Sequence, residues 1–366
     1  MNEGGTLRGA IIGCGYFGRI QLESWTRVPG VEIVAACDAD LARAKDCAQR
    51  VYSSAEEMLA REQLDFLDIA TRPESHLPLV RLAANAHLPT ICQKPMAPNW
   101  ADAVAIVEEA EAAGIPLMIH ENWRWQPWYR AVKRMIDRGD IGQPIGYWFR
   151  TRRRDGVGPE PYPNQAYFRG LSRFLIDELL VHHVDTARFL FGDIASVYAQ
   201  ARRVNPVIVA EDQALLIATH TGGLLGTIDG HRFLDPEPDG PALGEAGFEG
   251  DAGSLHVSAT GDVFNGRERV WENQVREGYR GDSVRAAQHH FVACLRTGGA
   301  FETGGRNYLQ TFAVVEAAYR SHAERRAVSI SEVLRGTGSV EEPYRPHQGA
   351  VDANELRGPG WYTTLR

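Results

Sequence analysis

The stretch LRGAIIGCGYFG, residues 7–18, joins a short apolar run to a glycine-rich turn with the spacing GxGxxG, and helix-compatible residues continue from Arg19 to Arg27. Gly13 can adopt the φ that a tight turn needs, Gly15 lets a pyrophosphate approach the backbone, and Gly18 allows the helix to pack closely on the strand. The free N–H groups and the positive end of the helix hold phosphate. The stretch therefore predicts a strand, a turn and a helix that bind a dinucleotide.

An acidic residue follows at the distance that such a unit requires. Residues 31–37 have the pattern of a second buried strand, and Asp38 stands at its end. A carboxylate there accepts hydrogen bonds from both ribose hydroxyls and repels the 2′-phosphate of NADP. We therefore expect NAD rather than NADP, against the alternative of an ordinary glycine turn with a surface aspartate.

The alternation of strands and helices continues to about residue 121. The predicted helices cover residues 42–50, 55–61, 75–86 and 100–113, and the predicted strands cover residues 64–70, 89–92 and 116–119. Alternating segments with short connections indicate a doubly wound parallel sheet, so residues 1–121 are predicted to form a Rossmann NAD-binding domain of the α/β class. Ligands of such sheets lie at the carboxyl ends of the strands.

The pattern changes in residues 122–335. After a long predicted helix from Ser172 to Phe191, several strand-like stretches follow one another with glycine-rich turns, among them 213–219, 224–230 and 254–259. Consecutive strands without intervening helices predict an α+β domain with a large, mainly antiparallel open sheet. Residues 336–366 are predicted to be a C-terminal tail rich in proline, glycine and charge.

The bulk composition narrows the classes of function. The chain has 366 residues, a net charge of −8 and 44% apolar residues, which indicates a globular protein and gives no reason to expect a nucleic-acid partner. No membrane partner is expected, because no apolar run approaches the length of a membrane span and the first six residues lack signal-peptide features. The five cysteines lack metal-ligand spacing and are typical of a reducing compartment, so we expect a cytoplasmic location.

A lysine is held at the end of one predicted strand by the tripeptide Gln93-Lys94-Pro95. Proline restricts the residue before it to an extended conformation, which would aim the Lys94 ammonium into the cofactor crevice. Beside a cationic nicotinamide this group can donate to a reacting oxygen or accept from it. The alternative is a surface lysine that happens to follow a strand.

A second candidate lies on the long helix. At 3.6 residues per turn, Glu178, His182 and Asp185 fall within roughly 60° of one another, whereas His183 points about 140° away from Glu178. A histidine suits proton transfer at neutral pH, and a carboxylate one turn away would orient its ring. The alternatives are a buried ion pair or a metal site; since neither HExxH nor a thiolate accompanies these residues, we expect no metal.

Together these motifs resemble the Gfo/Idh/MocA family of oxidoreductases. The resemblance rests on GCGYFG at 13–18, Asp38, ATRPESH at 70–76, QKP at 93–95 and ExxxHxxD at 178–185. It implies that Lys94 and His182 are catalytic, that Glu178 and Asp185 line the substrate site, and that the C-terminal sheet forms a dimer or tetramer of identical chains. Gln93 departs from the glutamate that is commoner in the family, which removes a charge beside Lys94.

The resemblance also implies a sugar as the small-molecule substrate. The stretch HENWRWQPW at 120–128 is similar to one in sugar dehydrogenases of the family, including an enzyme of D-apiose. We expect oxidation of an aldose hemiacetal to a lactone, with D-apiose or another pentose as substrate. Alternatives are an enzyme that retains NAD and recycles the hydride internally, in epimerisation or glycoside cleavage, and a sensor without catalysis.

The remaining candidates are residues just beyond strand ends and residues near the domain junction. Aromatic side chains can stack on a sugar and arginines can bind its hydroxyls, so the further candidates for substrate binding are Trp123, Arg124 and Tyr167. The candidates for cofactor binding are Gly13, Gly15, Tyr16, Phe17, Gly18, Asp38, Thr71, Arg72, His76, Gln93 and Lys94.

Overall fold

A computed structural model of the chain describes residues 5–235 and 240–336. The tail predicted for 336–366 therefore lies outside the described residues, apart from Gly336. Within the described ranges, no helix combines the length and the hydropathy that a membrane crossing requires.

The first part of the chain forms a six-stranded sheet in which every pair of neighbouring strands is parallel. Its strands are β1 (Leu7–Ile12), β2 (Val31–Cys37), β3 (Arg50–Tyr52), β4 (Phe66–Ile69), β5 (Thr90–Gln93) and β6 (Leu117–His120). The order β3-β2-β1-β4-β5-β6 reverses direction between β1 and β4, and ligands of doubly wound sheets bind beside such a reversal. The predicted doubly wound sheet is confirmed.

Helices connect these strands and continue after them. They are α1 (Tyr16–Trp25), α2 (Leu41–Ala44), α3 (Ala55–Arg61), α4 (His76–Asn85), α5 (Trp100–Ala112) and α6 (Pro127–Asp137). Short 3-10 turns lie at Pro73–Ser75 and Trp123–Trp125. Strands β4, β5 and β6 are wholly buried, because helices cover both faces of a parallel sheet.

The second sheet has nine strands, and all of its neighbouring pairs are antiparallel except β7 with β10. Its strands are β7 (Pro144–Arg152), β8 (Ile194–Arg202), β9 (Gln213–His220), β10 (Leu225–His231), β11 (Gly244–Gly250), β12 (Gly253–Val257), β13 (Val263–Asn265), β14 (Glu268–Trp271) and β15 (Val328–Ser329). The predicted mainly antiparallel open sheet is therefore confirmed.

Helices cover one face of this sheet. They are a π-helical turn at Ile176–Leu180, which runs directly into α7 (Val181–Phe191), and the last two helices of the described chain, α9 (Gly305–Glu324) and α10 (Ile330–Leu334). Helix α8 (Ser283–Thr297) precedes these two and instead packs on the parallel sheet, beside α1. One large apolar core joins the residues under both sheets, from Val34 and Ile69 to Phe149 and Phe248. The two sheets therefore form a continuous packed structure, with the helix at 176–191 between them.

Two local expectations were wrong. The predicted helix at 42–50 ends at Ala44, and Val51 and Tyr52 instead pair with Ala36 and Cys37 at the free edge of β2. Sheet pairing outweighs the weak helix preference of a short segment there. The long helix predicted from Ser172 begins only near Ile176, because the buried Glu211 carboxylate accepts the N–H group of Ile176 at 3.1 Å and fixes the start of the helix.

Candidate functional site

The glycine turn has the conformation that its sequence predicts. Gly13 has φ of 102°, and a Cβ atom on this residue would lie 2.6 Å from the carbonyl oxygen of Ala70. A Cβ on Gly18 would lie 1.9 Å from the carbonyl oxygen of Gly13, so no side chain fits there. Gly15 precedes α1 and makes no side-chain cap, and the space around its Cβ position is open. The exposed N–H groups at this helix start fit a pyrophosphate.

Asp38 lies beside this turn at the end of β2. One carboxylate oxygen accepts the N–H group of Cys14 at 2.8 Å, and the other accepts the N–H group of Asp40 at 2.9 Å. These bonds fix a negative charge where the ribose of a dinucleotide meets the second strand of such a fold. The residues present therefore fit NAD, and the charge opposes the 2′-phosphate of NADP.

Tyr16 and Phe17 occupy the first two positions of α1. The Tyr16 side chain is largely exposed, whereas the Phe17 ring lies 6.2 Å from the ring of His120 and 5.5 Å from that of Tyr279. Phe17 thus brings the glycine turn into contact with His120, at the end of β6, and with Tyr279, in the segment before α8. His120 is fully buried, and neither of its ring nitrogens has a hydrogen-bond partner among the described residues.

The loop after β4 brings Thr71 and Arg72 to the same edge of the sheet. Ser75 donates a hydrogen bond to the hydroxyl of Thr71, and the Arg72 guanidinium lies 4.6 Å from the ring centre of Tyr167. His76 is fully buried with its ring nitrogens 3.0 Å and 3.1 Å from the carbonyl oxygens of Met96 and Thr71. His76 therefore supports the loop from behind, which differs from the predicted direct contact with cofactor.

Lys94 follows β5 and reaches across to the helix between the two sheets. Its ammonium donates to a carboxylate oxygen of Glu178 at 2.9 Å and to the main-chain carbonyl of Glu178 at 2.8 Å. The peptide bond between Lys94 and Pro95 is cis. The side chains of Lys94 and Glu178 are 12% and 8% exposed, so this ion pair is shielded from water but still reachable.

Gln93 holds the backbone of Lys94 in place. Its side-chain oxygen accepts the N–H group of Lys94 at 2.8 Å, and its amide nitrogen donates to the Gln21 side chain at 3.1 Å. Gln21 in turn donates to the buried carboxylate of Asp68. Both polar atoms of the Gln93 amide are therefore bound inside the protein, and the structure places this side chain behind Lys94 rather than at an exposed cofactor surface.

His182 lies one turn beyond Glu178 and is bound by a carboxylate that the sequence analysis did not single out. Its Nδ1 lies 2.6 Å from Oε1 of Glu121, the residue after β6. The same oxygen accepts the N–H group of Trp123 at 3.0 Å, and Tyr308 donates to the other oxygen at 3.3 Å. Because an ionised carboxylate can only accept hydrogen bonds, we assign the proton to Nδ1, which leaves Nε2 able to accept a proton.

The electrostatic environment keeps His182 neutral at physiological pH. Burial lowers the pKa of His182 well below its usual value, and the positive charge of Lys94 lowers it further. Burial also raises the pKa of Glu121 to about 7. The Trp123 ring stacks flat on the imidazole at 4.6 Å and covers one of its faces. The ring is thus fixed by a carboxylate on one edge and an indole on one face.

Asp185 does not orient this histidine, contrary to the expectation of an acid one turn away. Its carboxylate is fully buried and forms a bidentate ion pair with Arg124, in which both N–O distances are 2.7 Å. Thr311 also donates to it at 3.0 Å. Asp185 and Arg124 were predicted to contact the substrate, but in this structure their charged groups bind each other. The ion pair joins α7 to the turn at Trp123–Trp125. His183 points away and packs against Phe149, as the helical spacing predicted.

The residues missed by the sequence analysis are Glu121 and Tyr279. Glu121 carries a recognisable signal, since it is the first residue beyond a strand of the parallel sheet. Tyr279 carries none, because it lies in an irregular segment far along the chain. Within the described ranges, no three His, Cys, Asp or Glu side chains are grouped closely enough to hold a metal ion.

Two family descriptions match the chain in order. Residues 7–121 match "Oxidoreductase family, NAD-binding Rossmann fold", and residues 129–255 match the GFO/IDH/MocA C-terminal domain. A D-apiose dehydrogenase of Paraburkholderia graminis is 40% identical over 350 residues, covering 89% of this chain and 90% of that protein. A second D-apiose dehydrogenase, from Rhizobium rhizogenes, is 38% identical and covers 90% of this chain and 99% of its own length.

Solved structures share the architecture. An oxidoreductase from Agrobacterium radiobacter in complex with NAD+, L-tartaric acid and magnesium is 36% identical and superposes with a TM-score of 0.82, covering 90% of this chain and 99% of that one. The dehydrogenase WlbA of Bordetella pertussis, in complex with NADH and UDP-GlcNAcA, is 23% identical with a TM-score of 0.76 and shares the fold. The glycine turn and Asp38 fit the cofactor of such folds, and the chain belongs to the Gfo/Idh/MocA family of NAD-binding oxidoreductases.

Proposed function

We propose that this protein is an NAD-dependent dehydrogenase that oxidises the cyclic hemiacetal of an aldose to a lactone, with D-apiose or another pentose as substrate. The observation that carries the proposal is the meeting of Lys94, Glu178 and His182 at the carboxyl edge of the parallel sheet, beside the glycine turn. The two D-apiose dehydrogenases that are 38% and 40% identical support the choice of sugar.

The proposed roles follow from the hydrogen-bonding capacity of each group. NAD, when bound, supplies the acceptor for the hydride that leaves C1 of the sugar. Nε2 of His182 takes the proton of the C1 hydroxyl, and the neighbouring Glu121 carboxylate stabilises the positive charge that the ring acquires. The Lys94 ammonium donates a hydrogen bond to the same oxygen and polarises it. The hydrogen bond to Glu178 keeps the Lys94 ammonium aimed at this point.

Absorbance at 340 nm tests this function directly. Purified protein is mixed with NAD or NADP and a panel of D-apiose, other pentoses, hexoses and inositols. NADH formation with D-apiose or another aldose is the expected result, and the product should be the corresponding lactone. A flat trace from protein that demonstrably binds NAD would contradict the proposal. It would favour internal recycling of the hydride or a sensor.

We also propose that the chain forms a homodimer or homotetramer through the open face of the nine-stranded sheet. This face exposes Leu215, Ile217 and Leu225, whose side chains are between 41% and 56% accessible. Because these positions lie on neighbouring strands β9 and β10, their apolar surface is continuous. Light scattering after gel filtration should give a dimer or tetramer, and Ile217→Lys should give monomers. A monomeric wild-type protein at micromolar concentration would contradict this assignment.

A cytoplasmic location is proposed as well. All five cysteines are free thiols, and Cys14, Cys37, Cys92 and Cys294 are buried. Unpaired buried thiols are typical of proteins in reducing compartments. Fractionation of the native host, with the protein detected by antibody, tests this expectation.

A further inference from the structure

The segment from Gly278 to Asp282, just before α8, has an unusual backbone. The φ angles of Gly278 and Gly281 are 71° and 74°, and those of Arg280 and Asp282 are 46° and 57°. Residues with a side chain rarely adopt positive φ, because steric repulsion makes this conformation unfavourable for them. Two such residues in one short segment require strong contacts from the surrounding protein.

These contacts come from both parts of the molecule. Asp282 forms an ion pair with Arg27 of the parallel-sheet domain at 2.7 Å. Gly281 packs so closely on Pro127 that a Cβ atom would lie 2.6 Å from the proline ring. The segment is thus held between the loop after α1 and the start of α6, and its intervening side chains have a fixed position.

The side chains of Tyr279 and Arg280 lie beside the proposed reaction centre. The ring of Tyr279 is 5.5 Å from that of Phe17 in the cofactor turn, and the Arg280 guanidinium lies 5.2 Å from the ring centre of Tyr279. Although burial raises the pKa of Tyr279, the charges of Arg280 and Lys94 outweigh burial and lower it. The charge of Arg280 also contributes to the low pKa of His182. The charge of Arg280 therefore acts on His182, and the neighbouring Tyr279 lies within the field of Lys94.

One donor of the Arg280 guanidinium has no partner in the part of the chain that the structure describes. Its Nη1 donates to the carbonyl oxygen of Pro241 at 3.0 Å, which fixes the plane of the guanidinium. Its Nε is buried and has no hydrogen-bond partner among residues 5–235 and 240–336. A buried donor without a partner is unfavourable, so a ligand oxygen at this position would be bound firmly.

We propose that Arg280 is a substrate-binding residue that uses its Nε edge to hold two adjacent hydroxyl oxygens of the sugar, opposite Lys94 and His182. This inference rests on the proposed function and specifies its substrate as a polyol with vicinal hydroxyls. The edge formed by Nε and Nη2 is the one with which arginine makes paired, parallel hydrogen bonds. Tyr279 positions the guanidinium through its ring.

The test compares Arg280→Gln and Arg280→Lys with wild type. Both variants keep a long polar side chain at the same backbone position, but neither offers the paired donor edge. Arg276→Gln is the matched control, because Arg276 is an exposed arginine of the preceding loop whose hydrogen bonds to described residues go to the nearby main-chain carbonyls of Asn273 and Val275. Turnover with D-apiose and NAD is followed at 340 nm, and binding of D-apiose, D-xylose and myo-inositol to the protein–NADH complex is measured by calorimetry.

We expect the KM for the sugar to rise at least 30-fold in both Arg280 variants, with a Kd for the sugar raised at least tenfold and unchanged NADH affinity. Arg276→Gln should match wild type in each measurement. If wild type turns over no sugar but binds a polyol in an Arg280-dependent manner, the proposed function is wrong and this inference stands. Equal sugar binding by wild type and both Arg280 variants overturns the inference, and so does a wild-type protein that binds none of the three polyols.

Discussion

Replacing Glu121 by glutamine isolates the electrostatic contribution of the carboxylate that holds His182. The amide oxygen can still accept the N–H groups of Trp123 and His182, and Tyr308 can rotate its hydroxyl to accept from the amide nitrogen. Geometry and tautomer are therefore preserved, while one negative charge disappears at pH values above about 7, where Glu121 is ionised. This distinguishes the variant from Glu121→Ala, which would leave the buried ring without a partner.

The size of the effect follows from the distance between the charges. With Nδ1 and Oε1 only 2.6 Å apart, the charge centres of imidazolium and carboxylate are about 4 Å apart, which corresponds to about 4 kcal/mol at an effective dielectric constant of about 20. If the ring carries about half a charge in the transition state, about 2 kcal/mol is lost and turnover falls about 30-fold. The pKa of His182 falls as well, so the acid limb of the pH–rate profile should move to lower pH.

The assay is initial-rate NADH formation at saturating sugar between pH 5 and pH 9, with the affinity for NAD and the melting temperature as controls. Glu211→Gln is the matched variant, because the buried Glu211 carboxylate also accepts main-chain N–H groups and a tyrosine hydroxyl but touches no histidine. It should keep turnover within about threefold of wild type. Turnover of Glu121→Gln within threefold of wild type, or an unmoved acid limb, would refute the assignment of His182 as the base.

Three further changes probe the rest of the site. Lys94→Ala should lower turnover about 100-fold or more while NAD binding, measured by fluorescence titration, is kept; near-full activity would exclude a catalytic role. Asp38→Ala should raise the KM for NAD about tenfold or more and reduce the preference for NAD over NADP, and an unchanged preference would show that another residue selects the cofactor. Asp68→Asn concerns stability. Burial raises the pKa of Asp68 to about 7, so the folded protein binds the extra proton and the contribution of this group to stability is lost as pH rises from about 4 to about 7. In urea unfolding, the stability of wild type relative to Asp68→Asn should fall by about 1–3 kcal/mol between pH 5 and pH 8; parallel pH dependence of the two proteins would show that Asp68 is ionised throughout.

The parts of the fold that depend on local pattern were predictable. GxGxxG and Asp38 lie at fixed offsets within one strand–turn–helix–strand unit, so sequence spacing determines their geometry. The glycine-rich strand β11 shows the opposite case. Three of its seven residues are glycine, yet it pairs with β7, where the Trp148 indole covers the position of a Cβ on Gly247 at 2.3 Å. Its stability comes from a neighbouring strand far away in sequence.

In the candidate site, too, the features set by local sequence were predictable and those set by distant contacts were not. Glu178 and His182 were found because helical spacing brings them to one face, and Lys94 was found because it follows a strand. The choice of partners was not predictable. Glu121 contacts His182, which lies 61 residues later in the sequence, and Arg124 forms an ion pair with Asp185. These pairings depend on how the two sheets pack against each other. Helical spacing alone favoured the acids nearest to the histidine.

The two cross-connections Lys94–Glu178 and Glu121–His182 also constrain how this protein can evolve. Each couples a residue that precedes the nine-stranded sheet with one that follows the first strand of that sheet. The two halves of the protein are therefore not freely interchangeable. A chimera that joins the nucleotide-binding half of one relative to the other half of a distant relative would combine residues that do not form these two pairs. Chimeras should therefore be active only when both parent proteins carry the same residues at both pairs. In the family, a substitution at one position of a pair should be accompanied by a compensating substitution at its partner.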